Sequence, residues 1–283
     1  MRFIRKNSEF FQFIRIRDWW YHNGIFFLGT IFAGVNGIPI EKIVWGGVVT
    51  SLYLANGYSL NEYYDHSWAD RKGRTGPRES LASKIPWFIF MVNLCLAVIF
   101  LPEVLLFVFL GGVLSWLYSA PPFRFKGNPI LRLLLNASGF SLIFLMGTAL
   151  SGAIPFRAIG LVLMMVLLFF PIEMIHDLND AADDRSQGIR TFPVLWGNKT
   201  TLNGIVILLT AVIVYVLWLY FLNVIHGGVV ILTVLMSAGL ILLVSGFISR
   251  KEEKTVVGWS LKSRARILLS GYMLGLGVLF FIH

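Results

Sequence analysis

The chain reads as nine long apolar stretches separated by short polar ones, at about 19–37, 40–61, 85–101, 103–120, 130–152, 155–176, 201–222, 227–249 and 265–282. Each is about as long as a helix needs to cross the hydrocarbon core, for which about 20 apolar residues suffice. A backbone exposed to lipid must satisfy its own hydrogen bonds, so these runs predict nine helices rather than strands. The third and fourth are expected to form a tight hairpin around Leu101–Glu103. Ahead of the first, residues 3–16 interleave Phe3, Ile4, Phe10, Phe11, Phe13 and Ile14 with Arg5, Lys6 and Arg15, a pattern suited to a helix lying in the membrane interface. That interleaving is also unlike a cleavable signal peptide, whose short apolar core ends at small residues.

Composition agrees with this reading. Of 283 residues, 57% are hydrophobic and 14% charged, against about 45–50% and about 25% in soluble domains. Roughly 180 residues would lie in lipid, which leaves little for a soluble domain. A single cysteine, Cys95, sits inside an apolar run, where it is expected to pack, and it excludes an internal disulfide framework or a Cys-pair redox site.

The net charge of +9 acquires a meaning once the basic residues are placed. With the N-terminus in the cytoplasm, 22 of the 24 Lys and Arg residues fall in the N-terminal tail and in the loops after spans two, four, six and eight, leaving only Lys42 and Arg157 on the other side. The positive-inside rule therefore predicts an N-terminus inside and a C-terminus outside. Membrane topology accounts for the charge, and nucleic acid is not expected as a partner.

The carboxylates cluster more tightly still. Nine of fifteen fall in two windows, Glu62, Asp65, Asp70 and Glu79 after span two, and Glu173, Asp177, Asp180, Asp183 and Asp184 after span six. The windows lie four spans apart. The chain thus reads as a single transmembrane domain over 1–283, with an interfacial segment (1–18), two four-helix halves (19–120 and 130–249) and a ninth helix (265–282). A pseudo-repeat of this kind would bring both acidic ends to a central cavity. Asn61 and Asp65 are spaced i, i+4, and Asp177, Asp180 and Asp184 are spaced i, i+3, i+7, so each set shares one face if the helix continues past the membrane boundary. Like charges stacked this way repel unless a cation binds between them. Oxygen ligands without Cys or clustered His favour Mg²⁺ over Zn²⁺, and Mg²⁺ held by one or two carboxylates characteristically bridges to phosphate. Arg71, Lys72, Arg74, Arg78, Arg124, Lys126, Arg185 and Arg190 surround the windows as a polyanion site would require.

These residues resemble a known family. Asn61-Glu-Tyr-Tyr-Asp65-His-Ser-Trp-Ala-Asp70 is similar to the first Asn/Asp-rich motif of the UbiA superfamily of intramembrane prenyltransferases, and the run from Asp177 through Asp180 and Asp184 to Pro193 is similar to the second. Tyr118-Ser-Ala-Pro-Pro-Phe-Arg124-Phe-Lys126 resembles the Tyr-Ser-Pro-Pro stretch of several branches. The first motif departs from the pattern: Glu62 stands at its second place, Ala69 where its last Asp belongs, and Asp70 falls one residue late, in register only if the helix bulges. Asp183 is expected to turn away from the face of Asp180 and Asp184.

The resemblance implies an all-α membrane protein, nine transmembrane helices around a central cavity, that transfers a polyprenyl group from an isoprenyl diphosphate to an aromatic, quinone-precursor-like or lipid acceptor and releases pyrophosphate. It implies two Mg²⁺ ions on Asn61, Asp65, Asp70, Asp177, Asp180 and Asp184, catalysis by Asn61, Asp65, Asp177, Asp180 and Asp184, and substrate binding by Tyr118, Arg124, Lys126, Arg71, Arg190 and Asn23. Tyr53, Tyr58, Tyr63, Tyr64, Trp68 and Phe169 are available to face an allylic cation. Arg17, His22 and Asn23, near the first span, are candidates for meeting the acceptor, and His66 and His176 flank the acidic windows. A membrane terpene cyclase on the same scaffold, or a prenyl-lipid carrier or transporter, are the alternatives; transporter sites lie near the midplane, whereas these carboxylates gather at one face. The expected location is a bacterial or archaeal plasma membrane with the site facing the cytoplasm.

Overall fold

The computed structural model describes residues 10–65 (except Gln12), 82–249 (except Gln187) and 254–282. Among them every regular element is helical. In chain order they are α1 (Ile16–Trp19), α2 (Asn23–Phe32), α3 (Ile40–Asp65), α4 (Ile85–Phe100), α5 (Leu105–Ser119), α6 (Pro129–Ala149), α7 (Phe156–Ser186), α8 (Phe192–Phe221), α9 (Gly227–Ser249) and α10 (Lys254–Ile282), with short 3-10 turns at Trp20–His22, Val35–Gly37, Pro102–Val104 and Phe125–Gly127. Among the described residues five helical segments are long and apolar enough to cross a membrane: Pro102–Ser119, Pro129–Ala149, Phe156–Ala182, Phe192–Phe221 and Gly227–Ile248.

Every expected span meets a helix, but several differ from the apolar pattern. The first, expected at 19–37, is built from α1, a 3-10 turn and α2; α2 has ten residues, about 15 Å at 1.5 Å per residue against a core of about 30 Å. The seventh begins at Phe192 rather than 201, and the ninth at Lys254 rather than 265, so Lys262 and Arg264 are helical where a loop was expected. Arg132, read as a loop charge, lies inside α6. Cys95 is exposed on α4 rather than packed. In the segment expected to lie in the interface, Phe10 and Phe11 are exposed, whereas Phe13 and Ile14 are buried and the Ile14 carbonyl accepts a 2.6 Å hydrogen bond from the Trp19 indole N–H.

Contacts divide the chain into two units, residues 1–125 with 142–154, and residues 126–141 with 155–283. In the first, α3 packs on α4 and α5. Trp45 stacks on Phe100 with ring centroids 4.0 Å apart, and the buried Asn56 amide donates a 2.7 Å hydrogen bond to the carbonyl of Pro86. That carbonyl, at the start of α4, is a natural place for a polar crosslink between apolar helices. The expected hairpin between α4 and α5 is present, and Glu103 at its tip pairs with Lys42 of α3 at 2.6 Å. In the second unit α8 packs on α7 and α9, and α10 on α9 and α7. Thr233 of α9 and Tyr272 of α10, both buried, join hydroxyls at 3.0 Å. Apolar side chains also cover the outside: Phe156, Leu242, Ile267 and Leu274 are each more than 70% exposed, a surface that fits lipid and not water.

Candidate active site

The second acidic motif is positioned by two helices whose ends are fixed locally. Asn128 caps α6, its side-chain oxygen accepting from the backbone N–H groups of Ile130 and Leu131 at 3.0 and 3.1 Å, and Pro129 occupies the first helical position, where its missing N–H costs nothing. Arg132 follows within the first turn. Helix α7 continues beyond the apolar segment to Ser186, as the motif spacing required. Its end is set by Gly188, whose φ of 70° is easy only for glycine, and the N–H of Ile189 donates to the carbonyl of Asp184 at 2.8 Å.

Along this pair of helices, side chains meet in a ladder. Arg132 Nη2 lies 2.5 Å from Asp177 Oδ1 and Nη1 lies 3.7 Å from Asp184 Oδ2. One turn further along α6, the Asn136 amide donates to Glu173 Oε2 at 3.1 Å. One turn further again, Phe140 stacks on Phe169 with ring centroids 4.8 Å apart. The seam therefore passes from an ion pair, through an amide and carboxylate, to an aromatic contact. Asp177 and Asp184 are buried, their side chains at 1% and 10% exposure, and Arg132 is half-buried at 13%. Asp177 Oδ2 is buried without a hydrogen-bond partner, an orphaned acceptor of the kind that a cation or ordered water satisfies. Asp180, half-buried, accepts a 2.6 Å hydrogen bond from the Asn179 amide. Lys126 is buried, and Arg190 is exposed.

The first motif closes α3 in the other unit. Asn61 is half-buried, its side-chain oxygen 3.4 Å from the Ser119 hydroxyl, which donates to it. Tyr118, beside that serine, is half-buried, and Arg124 is exposed with a positive φ of 39°. Glu62 is 5% exposed and lies 3.9 Å from the Arg15 guanidinium, which also meets Asp18 at 2.7 Å and sits 5.4 Å above the Tyr58 ring. Burial alone would lower the pKa of Arg15; the hydrogen bond and charge of Asp18, together with Glu62, outweigh it and raise it. Asn23 links α2 to α3, accepting from the Ser51 hydroxyl at 3.2 Å, and donates locally to the Trp20 carbonyl at 3.0 Å. Asp65 is the last residue of α3, with its side chain outside the described residues, as is that of Asp183. Asp70, Arg71, His66 and Trp68 also lie outside them.

Among the described residues no three His, Cys, Asp or Glu side chains converge closely enough to form a complete metal cage. Magnesium does not demand one, since it keeps several waters and is held by one or two carboxylates plus substrate phosphates. The donors present, all oxygen, with one buried carboxylate oxygen unsatisfied, fit that ion.

Sequence reasoning missed Arg132 and Asn136 as members of the site. Their i, i+4 spacing one turn after an Asn-Pro cap inside an apolar run was the available signal, because an ionisable residue at membrane depth normally has a partner. The second unit also holds an apolar groove of about 380 Å³, lined by Leu133, Phe170, Met174, Phe192, Trp196 and Gly204 among others. Between Trp196 and Thr200 of its lining, Gly197 breaks α8 with φ 79° and ψ 163°, a conformation open essentially to glycine alone.

The chain is 28% identical over 258 residues to a digeranylgeranylglyceryl phosphate synthase of Methanopyrus kandleri, covering 88% of this chain and 89% of that protein. A solved structure of a digeranylgeranylglyceryl phosphate synthase in membranes superimposes with a TM-score of 0.77 at 16% identity, covering 99% of this chain and 100% of the other. A UbiA homologue from Archaeoglobus fulgidus, solved with GPP and Mg²⁺, gives 0.76 at 16% identity over 97% of this chain and 100% of that one. At these identities the two structures speak for the fold. The description of the UbiA prenyltransferase family matches residues 24–261, most of the chain, and this integral membrane protein belongs to that family.

Proposed function

We propose that the protein catalyses Mg²⁺-dependent transfer of a polyprenyl group from an isoprenyl diphosphate to the hydroxyl of a glycerophosphate-type lipid. The bond between the allylic carbon and the diphosphate oxygen breaks, the acceptor oxygen forms an ether bond to that carbon, the hydroxyl proton leaves, and pyrophosphate is released. The observation that carries the reading is the buried face of α7 on which Asp177 and Asp184 meet Arg132 while Asp177 Oδ2 has no hydrogen-bond partner. The acceptor class rests on the Methanopyrus kandleri relative, whose likeness runs over most of both chains.

Asp177, Asp180 and Asp184 would hold one magnesium ion at the second motif, and Asn61 and Asp65, with Asp70 as a further ligand, would hold another at the first. Bound magnesium neutralises the diphosphate and makes it a leaving group. The chain's own cations add charge stabilisation as the C–O bond breaks, and Arg124, Lys126, Arg190 and Arg71 are the residues assigned to that task. Tyr118 and Asn23 are assigned to substrate binding. We further propose that the chain works as one transmembrane domain of nine spans, the first assembled from α1, the following 3-10 turn and α2 together, with the N-terminus and the site on the cytoplasmic side of a bacterial or archaeal plasma membrane. The distribution of basic residues supports that orientation.

The test is pyrophosphate release from geranylgeranyl diphosphate by purified protein, with and without Mg²⁺, using a prenylated glycerol phosphate, a quinone-precursor aromatic acid, or no acceptor. Release that needs both Mg²⁺ and the glycerol phosphate is expected. Release with the aromatic acid alone would replace the acceptor class, and release without acceptor would point to a terpene cyclase. No release with donors of any chain length would overturn the enzyme reading in favour of binding or transport.

A further inference from the structure

We infer that Arg132 is a resident counter-cation of the second acidic motif, one that a divalent metal must displace from Asp177 and Asp184 and that thereby makes metal binding depend on diphosphate. The inference rests on the proposed reading of Asp177 and Asp184 as metal ligands.

Three carboxylates, Glu173, Asp177 and Asp184, meet side chains of α6 or lie beside them along one seam, and two of them pair with the same guanidinium. Stacked buried carboxylates are costly without a compensating cation, and Arg132 supplies one from the neighbouring helix. Its hold is unequal, 2.5 Å to Asp177 and 3.7 Å to Asp184, and it leaves Asp177 Oδ2 without a hydrogen bond. A planar guanidinium paired with a single carboxylate can donate to both oxygens; here it spans two carboxylates and leaves Asp177 Oδ2 unsatisfied. Arg132 also sits in the first turn of α6, where the helix dipole disfavours a cation. Its side chain, with more rotatable bonds than that of an aspartate, makes it the movable member of the cluster.

A metal that arrives alone must therefore replace an existing ion pair and leave a guanidinium without its buried carboxylates. A metal that arrives with a diphosphate brings the guanidinium a new anion, for which Arg is well suited. Metal and diphosphate should then each strengthen the binding of the other, and this coupling is reciprocal.

The experiment measures Mn²⁺ affinity of the purified full-length protein in detergent, by electron paramagnetic resonance of free Mn²⁺, with and without inorganic pyrophosphate. Wild type, Arg132→Gln, Arg132→Lys and Asp177→Asn are compared. A nearby cation shifts the proton affinity of a carboxylate by about 10- to 1,000-fold, so Arg132→Gln is expected to bind Mn²⁺ alone about tenfold or more tightly than wild type. It should also lose most of the tightening that pyrophosphate gives. Arg132→Lys, which keeps the charge and loses the fork, should fall between and provides the readout if Arg132→Gln does not fold. Unchanged or weaker Mn²⁺ affinity in both Arg132 variants, with wild type binding normally, would overturn the counter-cation and leave the functional reading standing. Equal Mn²⁺ binding by wild type and Asp177→Asn, or none by wild type even with pyrophosphate, would overturn both.

Discussion

Gly147 offers a sharp test of how the first unit is held together. A Cβ at this position would lie 2.1 Å from the Phe26 carbonyl oxygen, 2.7 Å from the Thr30 nitrogen and 3.0 Å from the Gly29 carbonyl carbon. Gly29 meets the reciprocal limit, its Cβ falling 2.1 Å from the Phe144 carbonyl oxygen. All these neighbours are backbone, so no rotamer change can make room, and α2 and the end of α6 must part by more than an ångström to restore ordinary contact. Phe26 and Phe144, both at 0% exposure, would lose packing in the process. The Phe26 carbonyl is also tied down, accepting a 3.0 Å hydrogen bond from the Thr30 hydroxyl. Overpacking of this kind costs about 1–3 kcal/mol, and alanine returns up to about 1 kcal/mol of helix propensity. Because the clash is with backbone, the upper end of that cost applies, and Gly147→Ala should lower stability by about 2 kcal/mol, read as a lower midpoint in thermal or SDS denaturation of the detergent-solubilised protein. Gly24→Ala, with nothing within 4 Å of its Cβ, is the control and should be neutral or stabilising. Gly29→Ala combined with Gly147→Ala should cost less than the sum, because the first substitution already separates the helices. If Gly147→Ala denatures at the midpoint of Gly24→Ala, the close helix crossing is not what holds this unit.

Three further outcomes are expected. Asp177→Asn and Asp65→Asn should each lower prenyl transfer by more than tenfold while the protein still inserts into membranes; tenfold is about 1.4 kcal/mol of barrier, well below the several kcal/mol a lost metal ligand removes, and retention of more than about a tenth of activity in both would sink the site assignment. Gly197→Ala should cost about 1–3 kcal/mol, since the break in α8 uses backbone angles that a Cβ disfavours, and a stability equal to wild type would show that the helix can run through. Tyr272→Phe should cost only about 0.6 kcal/mol, the usual worth of a hydrogen bond between membrane helices, and a cycle with Thr233→Val would expose any larger coupling.

Why some of this was legible in the sequence and some was not comes down to which interactions are local. A run of apolar residues is a local property, so each expected span met a helix, and the i, i+3, i+7 spacing of Asp177, Asp180 and Asp184 could be placed on one helix before α7 was seen to reach Ser186. Helix ends are less local. The run around 19–37 gave no sign of the 3-10 turn at Trp20–His22, and the polar Gly197–Thr200 stretch hid the helical turn that begins at Phe192, nine residues before the apolar part of α8. Partnership is not local at all. By charge and position alone Arg132 was indistinguishable from Arg124, both basic residues following span four; only α6 packing on α7 separates them, leaving Arg124 exposed and setting Arg132 between two buried aspartates. The same holds for Glu62, which reads as an imperfect copy of a motif aspartate until its neighbour Arg15, 47 positions earlier, is seen beside it. A counting rule such as positive-inside treats every basic residue alike, and therefore cannot say which one has left the loop to serve the site. Where an ionisable residue lies within a helical run and an amide follows at i+4, the expectation to carry forward is a partner on the next helix, because burying the charge unpaired would cost more than the fold could offset.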